Sequence, residues 1–219
     1  MRIELPSGTP AELARPEGEA SRGLVLVPDI GGLRPLFDDL CARLATTHGW
    51  AVVAPEPWPG REQLPLEERL SSVGSLDDRR LLGDCTAAAD LLGVEPVAVL
   101  GFCMGGMVSL KAAATGRFDR AVSFYGMIRL PEAWQSPTMA EPLDVLGGAP
   151  DRAPILHLCG TRDPYVPVAD LDALEERGGA TVVRYQGADH GFVHDASRPA
   201  HRPDDAADAW RRVVDFLAV

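Results

Sequence analysis

The stretch Val97-Ala98-Val99-Leu100-Gly101-Phe102-Cys103-Met104-Gly105-Gly106-Met107-Val108 constrains this chain more than any other. An apolar run of strand length passes through Gly-x-Cys-x-Gly into a helix-forming segment, Ser109 to Ala114, so a strand must turn sharply into a helix at Cys103. Such a turn drives its central residue into a strained backbone conformation, and small flanking residues are needed where other backbone passes close to it. Gly101 and Gly105 meet that need. The turn also sets Cys103 at a helix N-terminus, beside unpaired N–H groups and the positive end of the dipole, which favour thiolate. Cys103 is therefore expected to act as a nucleophile. Cys41, Cys85 and Cys159 lack that context and are expected to be small buried side chains. No serine has glycine both two residues before and two residues after it, so the same turn offers no serine nucleophile.

Around this segment the sequence alternates between two kinds of run. Gly23–Val27, Ala51–Ala54, Val97–Leu100, Ala121–Tyr125, Ile155–Leu158 and Thr181–Tyr185 are short and apolar without strict alternation, as expected of strands covered on both faces. Between them, Leu36, Leu40 and Leu44, then Leu81, Ala88 and Leu92, then Leu171 and Leu174 recur at helical spacing, and Trp210, Val213, Val214 and Leu217 do so near the C-terminus. That order predicts an α/β fold with a mainly parallel, doubly wound sheet flanked by helices and no large cap, the whole of residues 1–219 forming one domain. Arg2–Leu5 and Ala11–Ala14 are predicted to add a small antiparallel edge. The Pro- and Gly-rich stretches 55–65 and 131–154 are predicted to be long loops of the kind that rim a site.

Two further segments follow predicted strands. Asp163 lies in Gly160-Thr161-Arg162-Asp163-Pro164-Tyr165-Val166-Pro167, just past Ile155–Leu158, and His190 lies in Gly187-Ala188-Asp189-His190-Gly191-Phe192, just past Thr181–Tyr185. Both fall at the carboxyl edge of the sheet, the edge that also carries Cys103. Either alone is ordinary, since Asp-Pro is common turn chemistry and a lone loop histidine is usually solvated. Together they supply a base for the thiol and a carboxylate to fix the imidazole, which points to acyl transfer to water. Charge developing on the attacked carbonyl needs two backbone donors, assigned to the N–H groups of Met104 and Ile30.

Composition removes other classes. The 219 residues are 46% apolar and 24% charged, with a formal net charge of −11, which offers no basic stripe for nucleic acid. The N-terminal residues do not read as a secretory signal, and no apolar run has the length of a membrane span. The four cysteines show neither CxxC spacing nor paired histidines, so no metal is expected and a cytoplasmic location with reduced thiols is. A monomer or weak homodimer is expected.

The segments GFCMGG, GTRDPYVP and ADHGF, with SRPAHRPDDAADAWRRVVDFL at the C-terminus, resemble the dienelactone hydrolase family of the α/β-hydrolase superfamily, over roughly residue 20 to the end. The resemblance implies a cofactor-free hydrolase of small lactones or esters, with Cys103, Asp163 and His190 in the order nucleophile, acid, base. It also implies that Asp29 stands where family members carry a carboxylate, usually Glu, that activates the resting thiol. His194 stands where a substrate-binding arginine is found, and Tyr125 matches a pocket position. Arg198 could replace the missing arginine or serve in a structural salt bridge, and Phe102, Trp58 and Trp134 could line an apolar wall or belong to the core. The readings left beside a dienelactone-like hydrolase are a carboxylesterase or thioesterase acting on uncharged esters, and a non-catalytic binding protein on the same fold.

Overall fold

The computed structural model describes residues 1–218. Its strands are β1 (Arg2–Glu4), β2 (Pro10–Ala14), β3 (Arg22–Val27), β4 (Trp50–Pro55), β5 (Val97–Phe102), β6 (Arg120–Phe124), β7 (Ile155–Gly160) and β8 (Thr181–Tyr185). Its helices are α1 (Pro35–His48), α2 (Leu66–Ser72), α3 (Asp78–Leu92), α4 (Met104–Ala112), α5 (Pro142–Gly147), α6 (Val168–Glu176) and α7 (Pro203–Leu217). The eight strands form one sheet in the order β1-β2-β4-β3-β5-β6-β7-β8. β3 to β8 run parallel, and the antiparallel pairings, β1 with β2 and β2 with β4, are confined to one edge, as the sequence predicted.

Every residue of β3, β4, β5 and β7 is buried, which explains why these strands read as continuous apolar runs. Phe102 and Phe124 stand side by side in the β5–β6 register, and Phe37 of α1 and Trp210 of α7 pack on them. Lys111 of α4, fully buried, is satisfied by Asp78 at the start of α3. Local chemistry sets the helix ends. Pro occupies the first turn of α1, α5 and α7, Asp77 caps α3 by accepting the Arg79 N–H at 2.8 Å, and α1 and α3 end on left-handed Gly49 and Gly93.

Two helices were not foreseen. α2 follows the predicted loop 55–65, and α5 lies inside the predicted loop 131–154 together with a 3-10 turn at Glu132–Trp134. What most concerns the site is the point where the chain changes direction in the sheet. From β3 it moves outward to β4, then returns to place β5 on the other side of β3, so the crevice at the carboxyl ends of β3 and β5 is a topological switch point, where open α/β sheets bind ligands. The register pairs Val27 with Gly101, which brings the loop beginning at Pro28 beside the turn at Cys103.

Candidate active site

The turn at Cys103 has the strained geometry that the sequence predicted. Its φ of 56° and ψ of −120° lie outside the regions open to most side chains, and its N–H is held by the Phe124 carbonyl at 3.0 Å. Close backbone approach explains the two glycines. A Cβ on Gly101 would fall on the carbonyl of Gly105, and one on Gly105 would fall on the carbonyls of Val27 and Pro28. Met104 is the first residue of α4, so its N–H has no acceptor within the helix.

Asp163 and His190 come from the loops after β7 and β8. His190 donates from Nδ1 to Asp163 Oδ2 at 2.7 Å, and the carboxylate is held in turn by the Tyr165 N–H at 2.9 Å and the Cys159 thiol at 3.7 Å. The imidazole lies between the edges of two rings, Tyr125 at 5.0 Å and Tyr165 at 4.9 Å. Its Nε2 is buried and takes no protein partner. Burial alone would make His190 a weaker base, but its bond to Asp163 and then the nearby Cys103 sulfur outweigh that and raise it to about 9. The proton affinity of this imidazole is thus high. In contrast, burial pushes the Cys41 and Cys85 thiols up to about 12, and Cys159 higher still, so these three remain protonated core residues.

Cys103 and His190 share a cavity of about 430 Å³ with Asp29, Ile30, Arg34 and Arg198 on its polar side. Its apolar side is made by Leu66, Leu70, Met127, Trp134 and Tyr165. A larger cavity, about 630 Å³, lies between α1 and α7 and contains neither Cys103 nor His190. Among the described residues, no group of three or more His, Cys, Asp or Glu side chains is arranged to hold a metal ion.

Several residues expected at the substrate lie behind the wall instead. Phe102 is fully buried against Phe124 and the ring of His194, because the strand directs it into the α1–α7 face of the sheet. Trp58, also fully buried, donates from its indole to the Ile30 carbonyl at 2.9 Å, so it braces the β3 loop rather than lining the pocket. Tyr125 takes the unusual φ of 41°, which turns its hydroxyl inward onto His194 Nδ1 at 2.5 Å. His194, with a side chain only 1% exposed, is a cross-brace, its Nε2 lying 2.8 Å from Asp29 Oδ2 and its ring stacking on Phe102 and Phe37. Trp134 and Arg198 do reach the cavity, and the Arg198 guanidinium forms no hydrogen bond or ion pair among the described residues.

Asp29 is at the cavity wall, but its oxygens are occupied. Oδ1 accepts from the Gly31 N–H at 2.8 Å and from Arg34 at 2.7 Å, while Oδ2 accepts from Arg34 and lies against His194, each at 2.8 Å. Burial disfavours this carboxylate, yet His194 and Arg34 together hold it well below the usual carboxylate range. Asp29 therefore anchors the loop that carries Ile30 and has no oxygen turned to the thiol without a partner. Sequence reasoning missed Arg34, whose position immediately before the helix-starting Pro35 and five residues after Asp29 was the available signal. It also missed Glu56, and Arg69, one of several arginines that the sequence left open as a substrate clamp, completes the brace instead. Glu56 accepts the Leu33 and Trp58 N–H groups, each at 2.8 Å, and Arg69 reaches the Ile30 carbonyl at 3.2 Å.

Known proteins give this arrangement its family. The profile of the dienelactone hydrolase family matches residues 9–219. A probable 2-oxo-3-(5-oxofuran-2-ylidene)propanoate lactonase from Bradyrhizobium is 32% identical, over 94% of this chain and 88% of its own length. A carboxymethylenebutenolidase from Rhodococcus opacus is 30% identical, over 89% of this chain and 79% of its own. The crystal structure of a putative dienelactone hydrolase from Klebsiella pneumoniae superposes with a TM-score of 0.89 at 25% identity, covering 100% of this chain and 97% of that one. With an eight-stranded, mostly parallel sheet and a cysteine turn at its switch point, the chain belongs to the dienelactone hydrolase family of carboxylic ester hydrolases.

Proposed function

We propose that the protein hydrolyses a small ester or lactone through a thioester formed on Cys103. The observation that carries this reading is the Asp163–His190 bond, which leaves the imidazole's other nitrogen unpaired in the cavity that holds the Cys103 thiol. In the first step His190 Nε2 takes the thiol proton and the sulfur attacks the carbonyl carbon, pushing a pair of electrons onto oxygen. The N–H groups of Met104 and Ile30 receive that charge, Ile30 being fixed by Trp58 and Arg69 through its own carbonyl. As the tetrahedral species collapses, His190 gives its proton to the departing alkoxide. His190 then takes a proton from water, the resulting hydroxide attacks the thioester, and the carboxylic acid leaves while the sulfur regains its proton. Asp163 keeps the imidazole in the required tautomer and steadies its positive charge throughout.

The names of the relatives suggest an unsaturated lactone that bears a carboxylate. Arg198, uncompensated at the cavity wall, is suited to hold such an anion, whereas Arg34 is already committed to Asp29. A carboxylesterase for uncharged esters remains the competing reading, and Arg198 decides between them. Its replacement by alanine lowers turnover of carboxylate-bearing lactones while sparing neutral esters only if the first reading holds. The reaction itself is tested by labelling. Iodoacetamide should modify Cys103 far faster than the three buried thiols and abolish p-nitrophenyl acetate hydrolysis. Even labelling of all four, with activity kept, would defeat the proposal, whereas ligand binding without any product, unchanged in Cys103→Ala, would favour a non-catalytic binding protein.

A further inference from the structure

Helix α2 is built inside out. Its buried residue is Arg69, whose guanidinium reaches the carbonyls of Leu64, Ile30 and Glu62, while Leu66 and Leu70, four residues apart on one face, are 55% and 38% exposed. An amphipathic helix ordinarily does the reverse. Among the described residues, the other exposed large apolar side chains, apart from Met1, are Tyr165 at 52%, three residues before α6, and Val168 at 44%, its first residue. Single exposed apolar side chains need no explanation. Here, however, Leu66, Leu70 and Tyr165 all line the cavity of Cys103, and Trp134 and Met127 continue the same wall inward. The helix is also fixed in place, because the Trp134 indole donates to the Leu70 carbonyl at 3.1 Å and Arg69 ties it to the Ile30 loop.

From this we infer that α2, Tyr165 and Trp134 form a subsite for an apolar arm of the substrate, an aliphatic chain or aryl ring that runs from the scissile carbonyl out through the cavity mouth. The inference deepens the hydrolase reading and rests on it for the identity of the reacting centre. It names the substrate class as amphiphilic, with the ester at Cys103 and an apolar extension along Leu66 and Leu70. The cavity of about 430 Å³ falls in the range that takes ligands of drug-like size, larger than a bare lactone ring.

The test uses two ester series with the full chain. One varies the acyl group of p-nitrophenyl esters from acetate to octanoate, and the other varies the alcohol of alkyl acetates. In one series or the other, kcat/KM should rise by up to about fourfold for each methylene laid on the wall. The Leu66→Ser/Leu70→Ser double variant should flatten that rise, with Leu66→Gln alone doing so in part. Since both leucines are exposed, the unfolding midpoint serves as the control for an intact fold. A flat profile in both series, or a rise that the double variant leaves untouched, overturns the subsite. Binding of octanoate and butyrate to Cys103→Ala separates the two claims. If turnover is missing or independent of Cys103 the hydrolase reading fails. The subsite then stands only if octanoate binds at least tenfold more tightly than butyrate and the two leucine changes remove the difference.

Discussion

Replacing His194 with phenylalanine separates a brace from a substrate clamp. The ring contacts with Phe102 and Phe37, at 4.8 and 5.9 Å, are kept in kind, so the change mainly removes two polar interactions. The Tyr125 hydroxyl, on a fully buried side chain, loses its 2.5 Å partner, and a buried group left unsatisfied costs about 1–3 kcal/mol. Asp29 loses one of its contacts but keeps Arg34 and the Gly31 N–H, so its share is about 1 kcal/mol. The sum is about 3 kcal/mol, which for a chain of this length lowers the melting temperature by about 6–12 °C. Urea unfolding should show the same loss as a lower midpoint with an unchanged slope. Adding Tyr125→Phe removes the orphaned hydroxyl and should return about 1 kcal/mol, a coupling that a double-mutant cycle detects. Activity should fall alike on charged and neutral esters. A destabilisation below about 1 kcal/mol, or a loss confined to substrates that bear a carboxylate, would refute the bracing role.

The other predictions concern the proton chemistry of the site and the core. Asp163→Asn keeps the shape of the carboxylate but offers His190 an amide that can favour the wrong tautomer, so kcat/KM should fall by about 10⁴ with little change in fold, and a drop of less than tenfold would remove Asp163 from the mechanism. His157, fully buried on β7 with both ring nitrogens unpaired, is lowered by burial to about 3. Its folded value lies below its unfolded one, so the unfolded chain takes up the proton first and stability is lost as pH falls from about 6.5 toward 3. At pH 5 that loss is about 2 kcal/mol relative to pH 7.5. His190, raised to about 9, has the opposite sign, its stabilisation being complete below about 6.5 and lost as pH rises through 9. Comparing denaturation of the protein and of His157→Leu at both pH values isolates the first effect, and an equal pH dependence in the two would contradict it.

The sheet was legible because four strands buried throughout, β3, β4, β5 and β7, leave continuous apolar runs, and β6 and β8 carry shorter apolar or β-branched runs beside them. The cysteine turn was legible for a different reason, since close backbone contacts restrict Gly101 and Gly105 and so write a motif into the chain. α2 was illegible because periodicity assumes that apolar residues face inward, and here Arg69 does while Leu66 and Leu70 do not. The sequence left Phe102 and Trp58 open between pocket wall and core and set Tyr125 and His194 at the substrate, because proximity in sequence to Cys103 or His190 does not fix side-chain direction. Tyr125, at a positive φ, has its hydroxyl on His194 Nδ1. Arg34 escaped notice because its partner, Asp29, had been given another role by resemblance, and only the coordinates reveal how many donors that carboxylate already has.

Thioester catalysis requires the acyl group to pass through the sulfur of Cys103. Rapid acid quenching during turnover of p-nitrophenyl acetate, followed by proteolysis and mass spectrometry, captures that intermediate. An acetyl group should appear on the peptide containing Cys103 within a turnover, disappear as substrate is exhausted, and be absent from Cys103→Ala. Hydrolysis that proceeds with Cys103 unmodified throughout, or an acetyl group on another residue that turns over at the steady-state rate, would contradict it.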